Sequence, residues 1–297
     1  MGGNMARRLL EDGFDVVGTD VSDDALADFE EAGGTPLPSP AAVAEAATVA
    51  LTSLPDPATV EAVYDGADGL LAGATGDLTV LETSSIDPET MAAVAAAARE
   101  DGVDVLGAPV SGGPQASREG TLTVIVGGER RVRERESVDA VLEALGSKVY
   151  HAGDVESAHT VKLLNNVVSM GNLALAMEAM ALGAARGVDG EVVLEVLGNA
   201  GGASNQLRKR GPRVLNRNFE PGFTVDLAAK DLGLAMETAM ATDQPMALAG
   251  LVYSRYLEAS ARGYGDEDAA AVVKLAEAAV DGRVESETEV DESFDGY

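Results

Sequence analysis

Met1-Gly2-Gly3-Asn4-Met5-Ala6-Arg7-Arg8-Leu9-Leu10-Glu11-Asp12-Gly13 opens the chain, and Phe14-Asp15-Val16-Val17-Gly18-Thr19-Asp20 follows. The first stretch reads as a helix over 2–12, already under way at the first residue. The second reads as a strand over 15–20 that ends on a carboxylate. Outward from this pair the pattern repeats. β-Branched runs at 49–54, 78–82, 103–106, 122–126 and 148–151 alternate with Ala-rich helical stretches at 23–32, 57–64, 88–99 and 130–145. Several of those helices are opened by an Asp or a Pro suited to a helix N-terminus. Such alternation is how βαβ units of a parallel sheet read, so the first half predicts an α/β, doubly wound nucleotide-fold domain.

After Gly153 no strand-like run longer than four residues recurs, and apolar residues return at helical spacing. A long helix is expected over 157–186, interrupted only by Gly171 and Gly183, with others over 190–199, 204–215, 225–242, 245–262 and 267–280. A length of 297 residues predicts two domains at roughly 100–200 residues each. The expected division is a Rossmann domain over 1–155, an all-helical domain over 156–281 and an acidic, solvated tail over 282–297.

Composition narrows the function classes. With 21 Lys+Arg against 50 Asp+Glu the formal charge is −29, which repels nucleic acid phosphates and anionic lipid, so neither is an expected partner. Only five of the basic residues are Lys, and acids are scattered through every segment. This pattern points to a cytoplasmic, halophilic protein working in molar salt, where the Debye length falls to roughly 3 Å; an ordinary acidic protein is the plainer reading. Absent cysteines exclude disulfides, thiolate metal sites and cysteine nucleophiles, and two histidines, His151 and His159, exclude a His-rich metal centre. The uncharged run 163–177 holds three Asn and falls short of the roughly 18 apolar residues of a membrane span. No transmembrane helix or signal peptide is expected.

A Rossmann unit opens with a buried strand and G-x-G-x-x-G, whose glycines let backbone amides approach a pyrophosphate at a helix N-terminus. The start of this chain fits that fingerprint with its front removed: Met1 and Gly2 are its remnant, Gly2 standing as the third glycine. Asp20 stands where a carboxylate hydrogen-bonds the adenosine ribose and repels a 2′-phosphate, favouring NAD over NADP. An acid at a strand end is otherwise ordinary surface.

Three later motifs occur in order. Gly107-Ala108-Pro109-Val110-Ser111-Gly112-Gly113, followed by Glu119-Gly120-Thr121-Leu122-Thr123-Val124-Ile125-Val126-Gly127-Gly128, places a hydroxyl and unshielded amides in a turn leaving a strand. That suits a small carboxylate, although a plain tight turn has the same letters. Next, His151-Ala152-Gly153 precedes Thr160-Val161-Lys162-Leu163-Leu164-Asn165-Asn166. Lys162 and Asn166 lie four apart, on one helix face, and can converge on one small polar ligand. An apolar setting makes a lysine useful as an acid or base, whereas most helix lysines simply reach out to solvent. Last comes Phe219-Glu220-Pro221-Gly222-Phe223, then Leu227-Ala228-Ala229-Lys230-Asp231-Leu232-Gly233-Leu234-Ala235, which read alone is a helix start with a surface Lys–Asp pair.

Together these motifs resemble the β-hydroxyacid dehydrogenase family, the 3-hydroxyisobutyrate dehydrogenase and tartronate semialdehyde reductase type, from Gly2 to about Val280. The resemblance implies an NAD-dependent oxidoreductase acting on a short β-hydroxy acid or its semialdehyde. The site would lie between a Rossmann domain and an all-helical domain, in a homodimer or homotetramer. It implies that Lys162 is catalytic and that Asn166 and the turn Ser111, Gly112 and Gly113 bind substrate. Leu54, Pro55 and Thr59 would line the cofactor, Ser85 would face the nicotinamide, and Lys230 would be the cofactor-side lysine, with Phe223 and Asp231 in the same pocket.

The chain departs from the family pattern in two places. Gly153-Asp154-Val155-Glu156-Ser157-Ala158 stands where the family has Gly-x-x-Gly-x-Gly, so the loop into the long helix takes a different path. The opening strand and two glycines are not present, and the reading frame is expected to begin about ten residues upstream. Two alternatives stay open. One is a decarboxylating 6-phosphogluconate dehydrogenase, against which Asn165 stands where that class has His, and for which Arg208, Lys209, Arg210 and Arg213 would supply a phosphate pocket. The other is a non-catalytic scaffold or ligand sensor.

Overall fold

The computed structural model describes residues 1–280 and 282–293. The chain forms two compact units, Met1–Leu163 and Leu164–Tyr297.

In chain order the first unit runs α1 (Gly2–Glu11), β1 (Val17–Gly18), α2 (Asp23–Glu31), β2 (Thr35–Pro36), α3 (Pro40–Ala46) and β3 (Val49–Thr52). It continues with α4 (Pro57–Asp65), α5 (Leu70–Gly73), β4 (Thr79–Glu82), α6 (Pro88–Glu100), β5 (Asp104–Gly107) and β6 (Val110–Ser111). Then come α7 (Gly113–Glu119), β7 (Leu122–Gly127), α8 (Arg130–Arg133), α9 (Glu136–Leu145) and β8 (Gly146–Gly153). The helix starts are written locally. Ser39, Asp56 and Asp87 each accept a hydrogen bond from the backbone three residues on, and each is followed by a proline whose missing N–H costs nothing at a first turn.

β3, β4 and β5 pair in parallel, with Leu51 beside Leu81 and Leu81 beside Leu106. Adjacent residues serve opposite faces: Val80 joins a core with Val60, Tyr64 and Met91, while Leu81 joins one with Met5, Leu106 and Leu142. Helices therefore cover both sides of the sheet, as the α/β reading requires. β7 departs from the expected direction. It runs antiparallel to β5 and β6 and parallel to β8; β6 keeps the direction of β5, and the chain reverses after it, across α7 and the left-handed Gly120 that ends that helix.

β1 and β2 form a separate two-stranded parallel sheet. β1 pairs over only two residues of the six expected, Val17 beside Thr35 and Gly18 beside Pro36.

The second unit is helical. α10 (Val155–Ala185) enters it, followed by α11 (Gly190–Asn199), α12 (Asn205–Leu215), α13 (Val225–Ala241), α14 (Ala247–Ala259) and α15 (Val273–Val280). Among the described residues it has no strand, only an isolated bridge between Thr224 and Asp268. Leu173, Met177, Leu207, Val225, Tyr256 and Val273 are fully buried in its core.

Three expectations change. The units divide at Leu163/Leu164, inside α10, because its first turns, with Ala158 and His159 fully buried, belong to the first unit. α10 is also long and apolar enough to cross a membrane by length and composition, since an 18-residue window tolerates Glu178; 39% of that window is buried, and Met170, Leu173, Met177 and Met180 belong to the core. Finally, 282–293 is not solvated throughout. Val284 is buried, and Val290 exchanges hydrogen bonds of 2.8 and 2.7 Å with the Asn216 side chain. Two valines among the acids give this segment an apolar grip that its charge conceals. Residues 294–297 of the expected tail lie outside the described residues.

Candidate active site

At the C-terminal ends of β3 and β4 two loops lie side by side. The Leu54 N–H donates to Ser84 Oγ at 2.8 Å, and Thr83 Oγ1 donates to the Thr52 carbonyl at 2.5 Å. α1 starts against the same place: a Cβ on Gly2 would lie 3.2 Å from the Ser53 Cβ. No described side chain caps that helix start, and Gly3 faces open space. Asp20 is exposed beyond β1, one carboxylate oxygen accepting from the Ser22 N–H at 2.9 Å. An uncapped helix start with glycines beside it accepts a phosphate, and an exposed carboxylate at a strand end accepts a ribose diol. These residues fit a dinucleotide.

Thr59 lies in the first turn of α4, where its N–H and hydroxyl both donate to Asp56 Oδ1 at 2.8 Å. Its hydroxyl proton therefore serves the helix cap. Met1 is 42% exposed, and its carbonyl accepts from the Ser117 hydroxyl at 3.2 Å.

Ser111 closes β6 opposite Thr123. Gly112 follows with φ +144°, and a Cβ there would come within 2.6 Å of the Ala116 Cβ and 3.0 Å of Leu122 Cδ2. Only glycine fits both the angle and the space. Gly113, at φ +82°, begins α7. The turn thus needs both of the glycines that follow Ser111.

On α10, Lys162 is 7% exposed and Asn166 6%. Asn166 Nδ2 donates to Asp231 Oδ2 at 2.6 Å, its Oδ1 accepts from Asn165 Nδ2 at 3.2 Å, and Lys230 Nζ lies 3.0 Å from Asp231 Oδ1. Asp231 is 2% exposed. Its carboxylate therefore holds Asn166 and Lys230 in place. The Asn166 amide, oriented by this contact, keeps a second N–H for a ligand.

One turn before Lys162, His159 is fully buried. Burial pushes its imidazole down to about 4, opposed by Asp87 and the Ile86 backbone, so the ring is neutral near pH 7. A Cβ on Gly107 would meet the ring at 3.0 Å. The imidazole thus seats the start of α10 on the end of β5.

Phe223 packs against the core of the second unit. Its N–H and that of Gly222 approach Asp268 Oδ2 at 3.4 and 3.3 Å, and Arg210 Nε donates to Asp268 Oδ1 at 2.7 Å. Arg213 also meets Asp268 and donates to the Glu220 carbonyl at 2.6 Å; Arg208 donates to the Gly198 carbonyl at 3.1 Å. Arg208, Arg210 and Arg213 are thus tied to their own unit.

In the first unit the loops after β3 and β4 and the start of α1 come together; in the second, Asn166, Lys230 and Asp231 do. Sequence reasoning did not single out Glu82, His159 or Asp268 as site residues. A buried acid has no letter pattern to separate it from the other acids of this chain.

Residues 1–153 match the family model described as the NAD binding domain of 6-phosphogluconate dehydrogenase, and 157–276 match that described as NAD-binding of NADP-dependent 3-hydroxyisobutyrate dehydrogenase. The chain is 33% identical to 2-(hydroxymethyl)glutarate dehydrogenase of Eubacterium barkeri over 276 residues, covering 93% of this chain and 91% of that one. It is 34% identical to the NAD-dependent L-serine dehydrogenase of Pseudomonas aeruginosa, covering 93% and 94%. Among solved structures, it is similar to Mycobacterium tuberculosis 3-hydroxyisobutyrate dehydrogenase with L-serine, at 30% identity and a TM-score of 0.83 over 93% of this chain and 95% of that one.

Proposed function

Because this chain belongs to the β-hydroxyacid dehydrogenase family, we propose that it interconverts a short, 3-hydroxyisobutyrate-like β-hydroxy acid and its semialdehyde with NAD, using Lys162 as general acid and base. That it is a hydroxyacid dehydrogenase follows from its relatives. The observation that carries the finer reading is the pairing on α10: Lys162 and Asn166 are both buried, four residues apart, with the Asn166 amide oriented by Asp231.

A bound nicotinamide supplies the hydride chemistry. The protein's part is to bind and orient substrate and to move one proton. The Ser111 hydroxyl and the 112–113 backbone hold the substrate carboxylate, and Asn166 holds its hydroxyl oxygen. Lys162 Nζ takes the hydroxyl proton in oxidation and returns it in reduction. Met1, Gly2, Leu54, Pro55, Thr59, Ser85 and Lys230 line the cofactor, with Phe223 beside Lys230. Asp20 supports NAD over NADP, because its exposed carboxylate repels a 2′-phosphate.

The ion pairs of Arg210 and Arg213 with Asp268 weigh against a 6-phosphogluconate reading. A substrate panel in about 2 M KCl decides the matter. Short β-hydroxy acids should be oxidised with a higher kcat/KM for NAD than for NADP, and 6-phosphogluconate should not react. Turnover of 6-phosphogluconate alone, or a clear NADP preference, contradicts the assignment.

The same reading makes the protein a cytoplasmic, salt-adapted homo-oligomer that binds neither nucleic acid nor membrane. Leu164, Val168, Leu175 and Leu182 are all more than half exposed along one helix, α10, a stripe that a second copy of the chain would cover. Sedimentation should give two or four copies in molar KCl and a monomer for Leu175→Glu. A monomeric wild type removes this part of the reading.

A further inference from the structure

We propose that Glu82 is a positioning residue that fixes the two cofactor-facing loops through Ser84. This rests on the dinucleotide reading of the loops after β3 and β4. Glu82 ends β4 and is completely buried, and among the described residues no cation pairs with it. Donors surround its carboxyl instead. Thr52 Oγ1 donates to Oε2 at 2.6 Å and the Ser84 N–H to Oε1 at 2.8 Å. Burial pushes the carboxyl above its usual range, and these donors pull it partly back.

The contacts form a chain. Thr52 ends β3, Glu82 ends β4, and Ser84, held by Glu82 through its N–H, receives the Leu54 N–H at 2.8 Å on its Oγ. Leu54 and Pro55 on one loop and Ser85 on the other are thereby set by one carboxyl that touches neither cofactor nor substrate. Oxygen acceptors, and not charge, perform this task. In Glu82→Gln the amide oxygen keeps the Ser84 N–H while its NH2 donates to Thr52 Oγ1, whose own proton turns to the Leu81 carbonyl at 3.4 Å. Glu82→Met fills the space and leaves the donors unsatisfied.

The test uses the full chain and two readouts. Hydrogen exchange reports the Leu54 and Ser84 amides without cofactor, and NADH emission, free of tryptophan background because the chain has no Trp, reports affinity. Glu82→Met should speed exchange at both amides and weaken NADH by about tenfold or more, on the order of one lost buried hydrogen bond. Glu82→Gln should stay within about threefold, and the core control Val80→Ala should change neither readout. Unchanged Leu54 exchange in Glu82→Met overturns the proposal; so do an equal effect of Val80→Ala and an equal loss in Glu82→Gln. Should Glu82→Met fail to fold, Ser84→Ala reads the same link: faster Leu54 exchange with weaker NADH supports it, and normal values sink it. Wild type that binds neither NADH nor NADPH removes the dinucleotide reading and the cofactor role with it, whatever the exchange shows.

Discussion

Asp268→Ala will cost about 3–5 kcal/mol of unfolding free energy, the usual penalty for leaving one half of a buried ion pair alone. Asp268 is 1% exposed and Arg210 5%. Besides Arg210 and Arg213, the carboxylate receives the N–H groups of Gly222, Phe223 and Ala270. Alanine leaves a buried guanidinium with, among the described residues, only the Gln206 side chain as hydrogen-bond partner, and removes the acceptor of the Gly222 and Phe223 N–H groups in the turn that leads into α13. Since α13 carries Lys230 and Asp231, substrate KM should rise with the loss of stability. Urea unfolding in constant KCl measures the change, and a loss under about 1 kcal/mol would show that Asp268 does not hold this turn. Asp268→Asn, which keeps one acceptor oxygen, should fall between.

How much of this was legible in the sequence varies with the range of the interaction. β3, β4, β5, β7 and β8 advertise themselves by β-branched runs, and proline after Asp56 or Asp87 marks helix starts, whereas the seven-residue α3 after Ser39 is not among the expected helices. β2 and β6 do not show, because each has two residues and a proline within or just before it. The reversal of β7 is equally hidden, since a strand's letters carry no direction. At the site, local spacing places Lys162 and Asn166 on one helix face. What lies 65 residues away, the Asp231 carboxylate that orients Asn166, needed coordinates. Glu82 and Asp268 escape notice for another reason: among 50 acids, a buried one looks like surface until its donors are seen. The helix pattern of α10 is legible, but the division of its packing between two units is not.

Lys162→Ala will lower kcat by about 10²- to 10⁴-fold, the range lost when a positioned acid–base group is removed. The substrate hydroxyl must give up its proton as its carbon is oxidised, and the proposed acceptor, the Lys162 amine, is only 7% exposed. The residues assigned to the dinucleotide are other residues, so NADH affinity should change little. Lys162→Arg adds a sharper test: it keeps the positive charge, yet a guanidinium does not give up its proton in a protein, so activity should not return. A merely attractive charge would be restored by arginine.

Steady-state kinetics of Lys162→Ala and Lys162→Arg on the substrate found in the panel, alongside an NADH titration of each, is the most direct measurement. The account predicts that both variants bind NADH like wild type and turn over at least about a hundredfold more slowly; near-normal kcat in either one would contradict it.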